Sequence, residues 1–174
     1  IVRRRQEMVS RRVPGAYMTS VMDLGMYEDI HPKHKKEVGE RLALLARGKV
    51  YKEELLCEPP ALLGAERKGK KIILHFAHAG VGLWRKEKTP EAEPEAELPS
   101  PLTGPREMKD GFLVLQGEKP LEIGKVRLWG NEVILHVPSL SEEKCAVSFA
   151  QVPYIRVRIY NSADLPMKPF YCEL

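Results

Sequence analysis

The sequence predicts an α/β segment over residues 1–52, followed by an antiparallel, β-sandwich-like lobe over residues 53–174. Two helical patterns, Ile1–Arg12 and Pro32–Val50, flank an apolar stretch rich in β-favouring residues, Ala16–Leu24. Helix, buried strand and helix in succession are typical of domains in which parallel strands lie between layers of helices. After Tyr51 the pattern changes to short strands separated by turn residues, which is typical of an antiparallel lobe.

The α/β segment is predicted to be one part of a larger domain. One strand cannot form a sheet alone, so the remaining strands are expected to come from elsewhere, most simply from a preceding N-terminal portion. The sequence opens on Ile1 rather than on methionine, which agrees with this expectation. The spacing of Val38, Leu42 and Leu45 places an apolar face on the second helix, and Glu37 with Arg41 predicts a surface ion pair.

Local turn signals divide the lobe into strands. Lys68-Gly69-Lys70 predicts the turn of one hairpin, and Gly130-Asn131 is a strong signal for the two-residue turn of another. Residues 86–105 are rich in proline, glutamate and alanine, and are interpreted as a flexible surface insertion, with an interdomain linker as the alternative. Pro153–Leu174 is predicted to run as an extended tail over the surface.

Composition excludes several classes of protein. A content of 43% hydrophobic and 30% charged residues is ordinary for a globular protein, and no apolar run approaches the roughly 20 residues of a membrane helix. The basic cluster of Arg3–Arg5, Arg11 and Arg12 has no interleaved aromatic residues, so a solvated helix face is favoured over a nucleic-acid patch. The three cysteines have neither metal-type spacing nor an even count: Cys57, Cys145 and Cys172.

One histidine stands where catalysis would be expected. Proline is favoured at the first position of a helix, so His31, directly before Pro32, falls at or near the predicted N-cap. The positive end of the helix dipole would then disfavour the protonated ring and keep a basic nitrogen available for general-base catalysis. The alternative is a loop histidine that only caps a surface helix.

Two motifs together resemble a known enzyme family. Asp23-Leu24-Gly25, then Asp29-Ile30-His31-Pro32, then K-x-x-V-G-E-R-L-A-L-x-A from Lys35 resemble the closing segment of the catalytic domain in the sialate O-acetylesterase family. Near the end, the run from Tyr160 to Pro166 and the pair Pro169-Phe170 are similar to the family's Y-N-x-x-x-L-P-x-x-P-F ending. Members of that family are serine esterases of the SGNH-hydrolase type, with a three-layer α/β catalytic domain.

The resemblance implies a function and a site. It implies removal of O-acetyl groups from an acetylated carbohydrate, with His31 as the catalytic base and with no metal or organic cofactor. The acid that orients the base is expected to be Asp29, with Glu28 and Asp23 as the other candidates. Asp29 could equally well only cap the start of the helix. The family slightly favours a secreted or periplasmic location.

The family's nucleophilic serine is not found in this sequence. That serine lies in a G-Q-S-N-type motif, which does not occur here. The chain is therefore expected to be inactive alone and to act with a serine-bearing N-terminal portion, in the same or a separate polypeptide. The alternative function is a non-catalytic, β-rich accessory module that binds carbohydrate or a partner protein.

For the remaining histidines and the two tryptophans, a structural role is favoured over a functional one. His75 and His78 alternate with apolar residues in a predicted strand, and a zinc pair would lack a third ligand nearby in the sequence. His34 is expected to face solvent. Trp84 and Trp129 could stack on sugars, but core packing or hairpin cover is favoured.

Overall fold

The computed structural model describes residues 2–26, 29, 31, 33–87 and 104–174. Its elements are the following: α1 (Val2–Arg12), α2 (Lys35–Lys49), β1 (Ala61–Lys68), β2 (Lys71–Ala77), β3 (Trp84–Arg85), β4 (Phe112–Gln116), β5 (Lys119–Leu121), β6 (Lys125–Trp129), β7 (Glu132–His136), β8 (Cys145–Phe149), β9 (Ile159–Tyr160) and β10 (Phe170–Glu173). Neither helix is long and apolar enough to cross a membrane within this described part of the chain.

The strands form two four-stranded antiparallel sheets and a two-stranded ribbon. The first sheet has the order β1-β2-β7-β6, the second has the order β10-β8-β4-β5, and β3 pairs with β9. The prediction of an antiparallel, β-rich lobe is confirmed. Alternate residues point to opposite faces of a strand, so each sheet contributes one apolar face to a shared core.

Aromatic rings join the two sheets across this core. Phe76 of β2 meets Phe170 of β10 edge to face, with ring centroids 5.8 Å apart. Phe112 and Phe149 pack at 4.7 Å within the second sheet, and all four rings are buried. Burying such a side chain stabilises the fold by about 1.5–3 kcal/mol, so this cluster is a major part of the lobe's stability.

The predicted hairpins form as their turn residues dictate. Gly69 and Gly130 adopt left-handed backbone angles of φ 58° and 56°, which an L-residue rarely adopts. Each glycine lies in a two-residue loop, between the pairs Lys68↔Lys71 and Trp129↔Glu132 respectively. Both turns therefore close without strain.

The N-terminal part differs from the prediction. Ala16–Leu24 is not a strand, because it has no ladder partner in the part of the chain that the structure describes. Helix α2 begins at Lys35 with His34 as its N-cap, so the prediction that His31 caps this helix is wrong. Whether the segment is part of a three-layer α/β domain stays a prediction.

Two further predictions concern the second half of the chain. The C-terminal segment after Pro153 is not a surface tail, since it provides β9 and β10 and buries Val157, Leu165 and Met167. Proline stops regular pairing but does not prevent burial of the residues around it. Most of the predicted insertion at 86–105 lies outside the described residues, which end at Glu87 and resume at Gly104.

Asn161 is the polar centre of the fold. Its side chain is fully buried, and Nδ2 donates hydrogen bonds to the carbonyl oxygens of Glu58 and His78, at 2.9 and 2.8 Å. Its Oδ1 accepts from the backbone N–H groups of Ala163 and Leu165, at 3.1 and 3.0 Å. One amide thus joins the linker after α2, the loop after β2 and the C-terminal segment.

Replacing the Asn161 side chain is expected to lower the stability of the fold more than any substitution on the surface. In Asn161→Ala, four backbone groups lose their partner in the interior, and we expect the free energy of unfolding to fall by about 3–5 kcal/mol. The chain's other asparagine, Asn131, is exposed in the Gly130 turn. Asn131→Ala is the matched control and should cost less than about 1 kcal/mol in urea unfolding followed by circular dichroism. Equal costs would contradict the central role of Asn161.

Candidate active site

His31 and Asp29 lie side by side on the loop before α2. Asp29 Oδ1 is 3.3 Å from His31 Nδ1 and accepts the backbone N–H of His31 at 2.8 Å. The His31 side chain is 79% exposed. Because the carboxylate meets Nδ1, that nitrogen carries the ring proton in the neutral imidazole, and Nε2, on the opposite side of the ring, is the basic nitrogen.

The three candidate acids differ in their contacts with His31. The structure brings Asp29 to His31, whereas Asp23 is engaged elsewhere, and Glu28 lies outside the described residues. Asp29 also accepts the backbone N–H of His31, but it does not cap α2 as the alternative interpretation expects, because that helix begins at Lys35 with His34 as its N-cap. A carboxylate that holds both the backbone and the ring of a histidine fixes the orientation of the imidazole.

Asp23 forms the most extensive polar contact in this region. Arg41 Nη1 and Nη2 bind Asp23 Oδ1 and Oδ2 in a fork at 2.6 Å each, and Nη1 also donates to the Ser20 carbonyl oxygen at 3.0 Å. The Tyr160 hydroxyl lies 3.1 Å from Asp23 Oδ2. The predicted pairing of Arg41 with Glu37 is replaced by this fork, because a bidentate contact with a desolvated carboxylate is stronger than a surface pair.

These contacts fix the ends of the loop that bears His31. Asp23 lies before the loop, Arg41 lies on α2 after it, and Tyr160 belongs to β9. Burial raises the pKa of the Tyr160 hydroxyl well above its ordinary value, and the charge of Asp23 adds to this rise. The hydroxyl therefore stays protonated and can donate to Asp23. The sequence signals nothing of this, since Asp23 and Tyr160 are 137 residues apart.

A cleft lies beside this ion pair. It has a volume of about 430 Å³, and Trp84 forms part of its wall, with its indole stacked on Tyr160 at a centroid distance of 5.2 Å. Trp84 Nε1 donates to the Asn161 carbonyl oxygen at 2.8 Å, so the ring is held in place. The remaining lining is mostly charged or polar: Asp23, Leu24, His34, Glu37, Arg41, Lys86, Arg156, Tyr160 and Asp164.

A mainly apolar groove of about 550 Å³ lies between α1 and the segment 16–22. Val9, Tyr17 and Val21 expose large apolar side chains there. The buried hydroxyl oxygens of Thr19 and Ser20 find no hydrogen-bond partner among the described residues. Such apolar and unpaired groups are typical of a surface that packs against further polypeptide.

The other histidines belong to separate clusters. His75 lies between Glu66 and Glu132, at 3.5 and 3.2 Å, and His78 lies 3.5 Å from Glu58. No group of three metal-ligating side chains with the arrangement of an ion site occurs among the described residues. His34 contacts Glu37 at 3.2 Å on the first turn of α2.

Breaking the Asp23–Arg41 pair is expected to be costly. Both side chains are about nine-tenths buried, and in Arg41→Met an uncompensated carboxylate would remain, lowering the free energy of unfolding by about 3 kcal/mol. Arg47→Met, on the same helix, removes an exposed pair with Glu53 and should cost less than about 1 kcal/mol. Equal losses in urea unfolding would show that the Arg41 fork contributes no more than a surface pair.

The fold is similar to part of a known enzyme. No family model and no curated protein matches the sequence. Among solved structures, the chain is similar to a crystal structure described as a novel carbohydrate acetylesterase from Xanthomonas citri, with a TM-score of 0.75 and 24% sequence identity. The similarity covers 97% of this chain and 35% of that one, so the chain spans about a third of its length. At this identity the comparison establishes the shared fold.

Proposed function

We propose that this chain is the histidine-bearing, C-terminal part of a serine-dependent carbohydrate O-acetylesterase similar to the sialate O-acetylesterases. One observation supports this above the others: the fold recurs, over nearly the whole chain, within a carbohydrate acetylesterase. The contact between Asp29 and His31 Nδ1 adds a chemical reason, since it leaves Nε2 on an exposed ring for proton transfer.

In the proposed mechanism His31 acts as base and then as acid. Nε2 takes the proton of a serine hydroxyl supplied by another segment, and the serine oxygen attacks the carbonyl carbon of the acetyl ester. The sugar oxygen leaves with the proton returned from His31, which forms the acetyl-enzyme. Water then attacks in the same way and releases acetate. Asp29 stabilises the imidazolium that forms in each step.

The apolar groove beside α1 is the proposed docking face of the serine-bearing segment. Neighbouring strands and helices would cover its exposed valines and offer hydrogen-bond partners to the buried hydroxyls of Thr19 and Ser20. Leu42 on α2 gives a second indication, since 53% of this member of the predicted apolar face is exposed. An amphipathic helix whose apolar face is half uncovered is suited to a further partner.

Replacing His31 tests the catalytic proposal. In the polypeptide that joins this chain to its serine-bearing portion, His31→Ala should lower kcat on 4-nitrophenyl acetate by about 10⁴-fold, because the serine loses its base. His136→Ala is the matched control, since that exposed histidine lies on β7 in the first sheet, and its activity should stay within about twofold.

Unchanged turnover in His31→Ala would reject the base role and favour the accessory-module alternative. The 174-residue chain alone should show no turnover, and an intact-mass measurement confirms which polypeptide is assayed. Turnover by the chain alone would contradict the proposal, since no family-type serine motif is present in its sequence.

Trp84 is proposed to hold the sugar in the cleft. An indole held by Tyr160 and Asn161 offers an apolar face on which a sugar ring can stack, and the polar side chains around it can bind the sugar hydroxyls. Trp84→Ala should raise KM for an acetylated oligosaccharide about tenfold, while kcat on 4-nitrophenyl acetate, which has no sugar, stays within about twofold. The control is Trp129→Ala, at a tryptophan that is 77% exposed on the β6 hairpin. Equal effects of the two changes would exclude this role for Trp84.

A further inference from the structure

A second cavity lies behind the β3–β9 ribbon. It has a volume of about 250 Å³, which corresponds to the space of about eight water molecules. The turn at Asp110 and Gly111 forms one wall, and the segment 154–159 forms another. Its charged lining consists of Arg85, Lys109, Asp110, Arg156 and Arg158. Lys109 Nζ donates to the Gly124 carbonyl oxygen and Arg156 Nε to the Tyr154 hydroxyl, so Arg85 and Arg158 are the two cations that contact Asp110.

Asp110 contacts two of these cations but cannot accept hydrogen bonds from all of their N–H donors. Its Oδ2 lies 2.9 Å from Arg85 Nη2, and its Oδ1 lies 3.3 Å from Arg158 Nη2. Each guanidinium has five N–H donors, whereas one carboxylate offers about four acceptor sites. Arg85 Nη2 also approaches the Val126 carbonyl oxygen, at 3.5 Å. The two guanidinium groups still hold more donors than these acceptors can take, and a second planar oxyanion could accept from the rest.

The turn that bears Asp110 is held rigidly. Asp110 and Gly111 have left-handed backbone angles of φ 51° and 89°, and Lys109 and Phe112 exchange backbone hydrogen bonds at 2.9 Å. A Cβ on Gly111 would come within 2.8 Å of the Phe149 ring, so the turn lies directly on the core. The fixed carboxylate of Asp110 holds Arg85 and Arg158 in place, and donors that are held in advance lose little freedom when a ligand binds.

This cavity adjoins the cleft beside the Asp23–Arg41 ion pair. Arg156 lines both spaces, and Trp84 of the cleft is followed in β3 by Arg85 of the cavity. A glycan bound in the cleft would therefore meet Arg156, which also lines the cavity.

We propose that the cavity between Arg85, Arg158 and the Asp110 turn binds a carboxylate carried by a sugar of the glycan. The identity of the ligand as a glycan rests on the proposed function, and the oxyanion chemistry rests on the arginine cluster. A uronic acid beside the acetylated sugar fits this description. The site would select acidic over neutral glycans, because a neutral hydroxyl in the same place satisfies fewer of the charged donors.

Direct binding tests this site without any need for catalysis. The chain is titrated with D-glucuronate, D-glucose, acetate and sulfate, and binding is followed through backbone amide shifts in NMR spectra. We expect glucuronate to give saturable shifts at the Asp110 turn and in the segment 154–159, and to bind at least about tenfold more tightly than glucose. The affinity should fall as the salt concentration rises.

Charge-matched variants locate the contact. Arg158→Gln and Arg85→Gln should each weaken glucuronate binding about tenfold or more, whereas Arg127→Gln, which removes the same charge from an exposed position on β6, should leave it unchanged. Thermal unfolding checks that each variant is folded. If a glutamine variant does not fold, the corresponding lysine variant, Arg158→Lys or Arg85→Lys, is tested in its place.

The outcomes separate this inference from the proposed function. Equal binding of glucose and glucuronate, or equal losses in Arg127→Gln and Arg158→Gln, would overturn the carboxylate site. Sulfate or acetate binding as tightly as glucuronate would overturn the assignment to a sugar. Loss of esterase activity in His31→Ala has no bearing on these shifts, so either proposal can fail alone.

Discussion

The fork between Arg41 and Asp23 is the contact on which the arrangement of the candidate site depends. Helix α2 buries only Leu45 fully, so apolar packing holds it weakly against the lobe. A buried ion pair is favourable only when its remaining donors and acceptors are matched. Here Arg41 also binds the Ser20 carbonyl oxygen, and Asp23 also meets the Tyr160 hydroxyl. The loop with Asp29 and His31 therefore spans two fixed points.

The C-terminal segment connects this fork to the core through two consecutive residues. Tyr160 reaches Asp23, and Asn161 binds the loops after α2 and β2. Tyr160 is the last residue of β9 and Asn161 is the next residue in the chain, so one contacts the candidate site while its neighbour binds the interior loops. Trp84 contacts both, since its ring stacks on Tyr160 and its Nε1 binds the Asn161 carbonyl oxygen. The geometry of the cleft and the stability of the lobe are thus determined by the same dipeptide.

Whether a feature could be predicted from the sequence depends on how far apart along the chain its interacting residues lie. The hairpin at Gly130 involves neighbours in the chain and could be anticipated from a local pattern, whereas the pair of Asp29 with His31 is expected from the family resemblance, with Glu28 and Asp23 as the other candidates. Ala16–Leu24 has the composition of a buried strand, yet composition does not tell whether the pairing strands belong to the same chain. The contact of Asp23 with Tyr160 and the burial of the segment after Pro153 arise only when parts that are distant in the sequence pack together. No local sequence pattern predicts them.

The start of α2 changes the electrostatic argument for His31. A helix dipole acts within about one turn of its end, so beginning the helix at Lys35 moves its influence from His31 to the first turn. Glu37 shows the effect, since its pKa is lowered by a hydrogen bond from its own backbone N–H and by the contact with His34. Among the described residues, the charged group that contacts His31 is instead Asp29, at 3.3 Å. In the proposed mechanism that carboxylate stabilises the imidazolium formed when His31 takes up the serine proton. The role proposed for His31 therefore rests on stabilising the charged intermediate state, and this requires Asp29 rather than the helix.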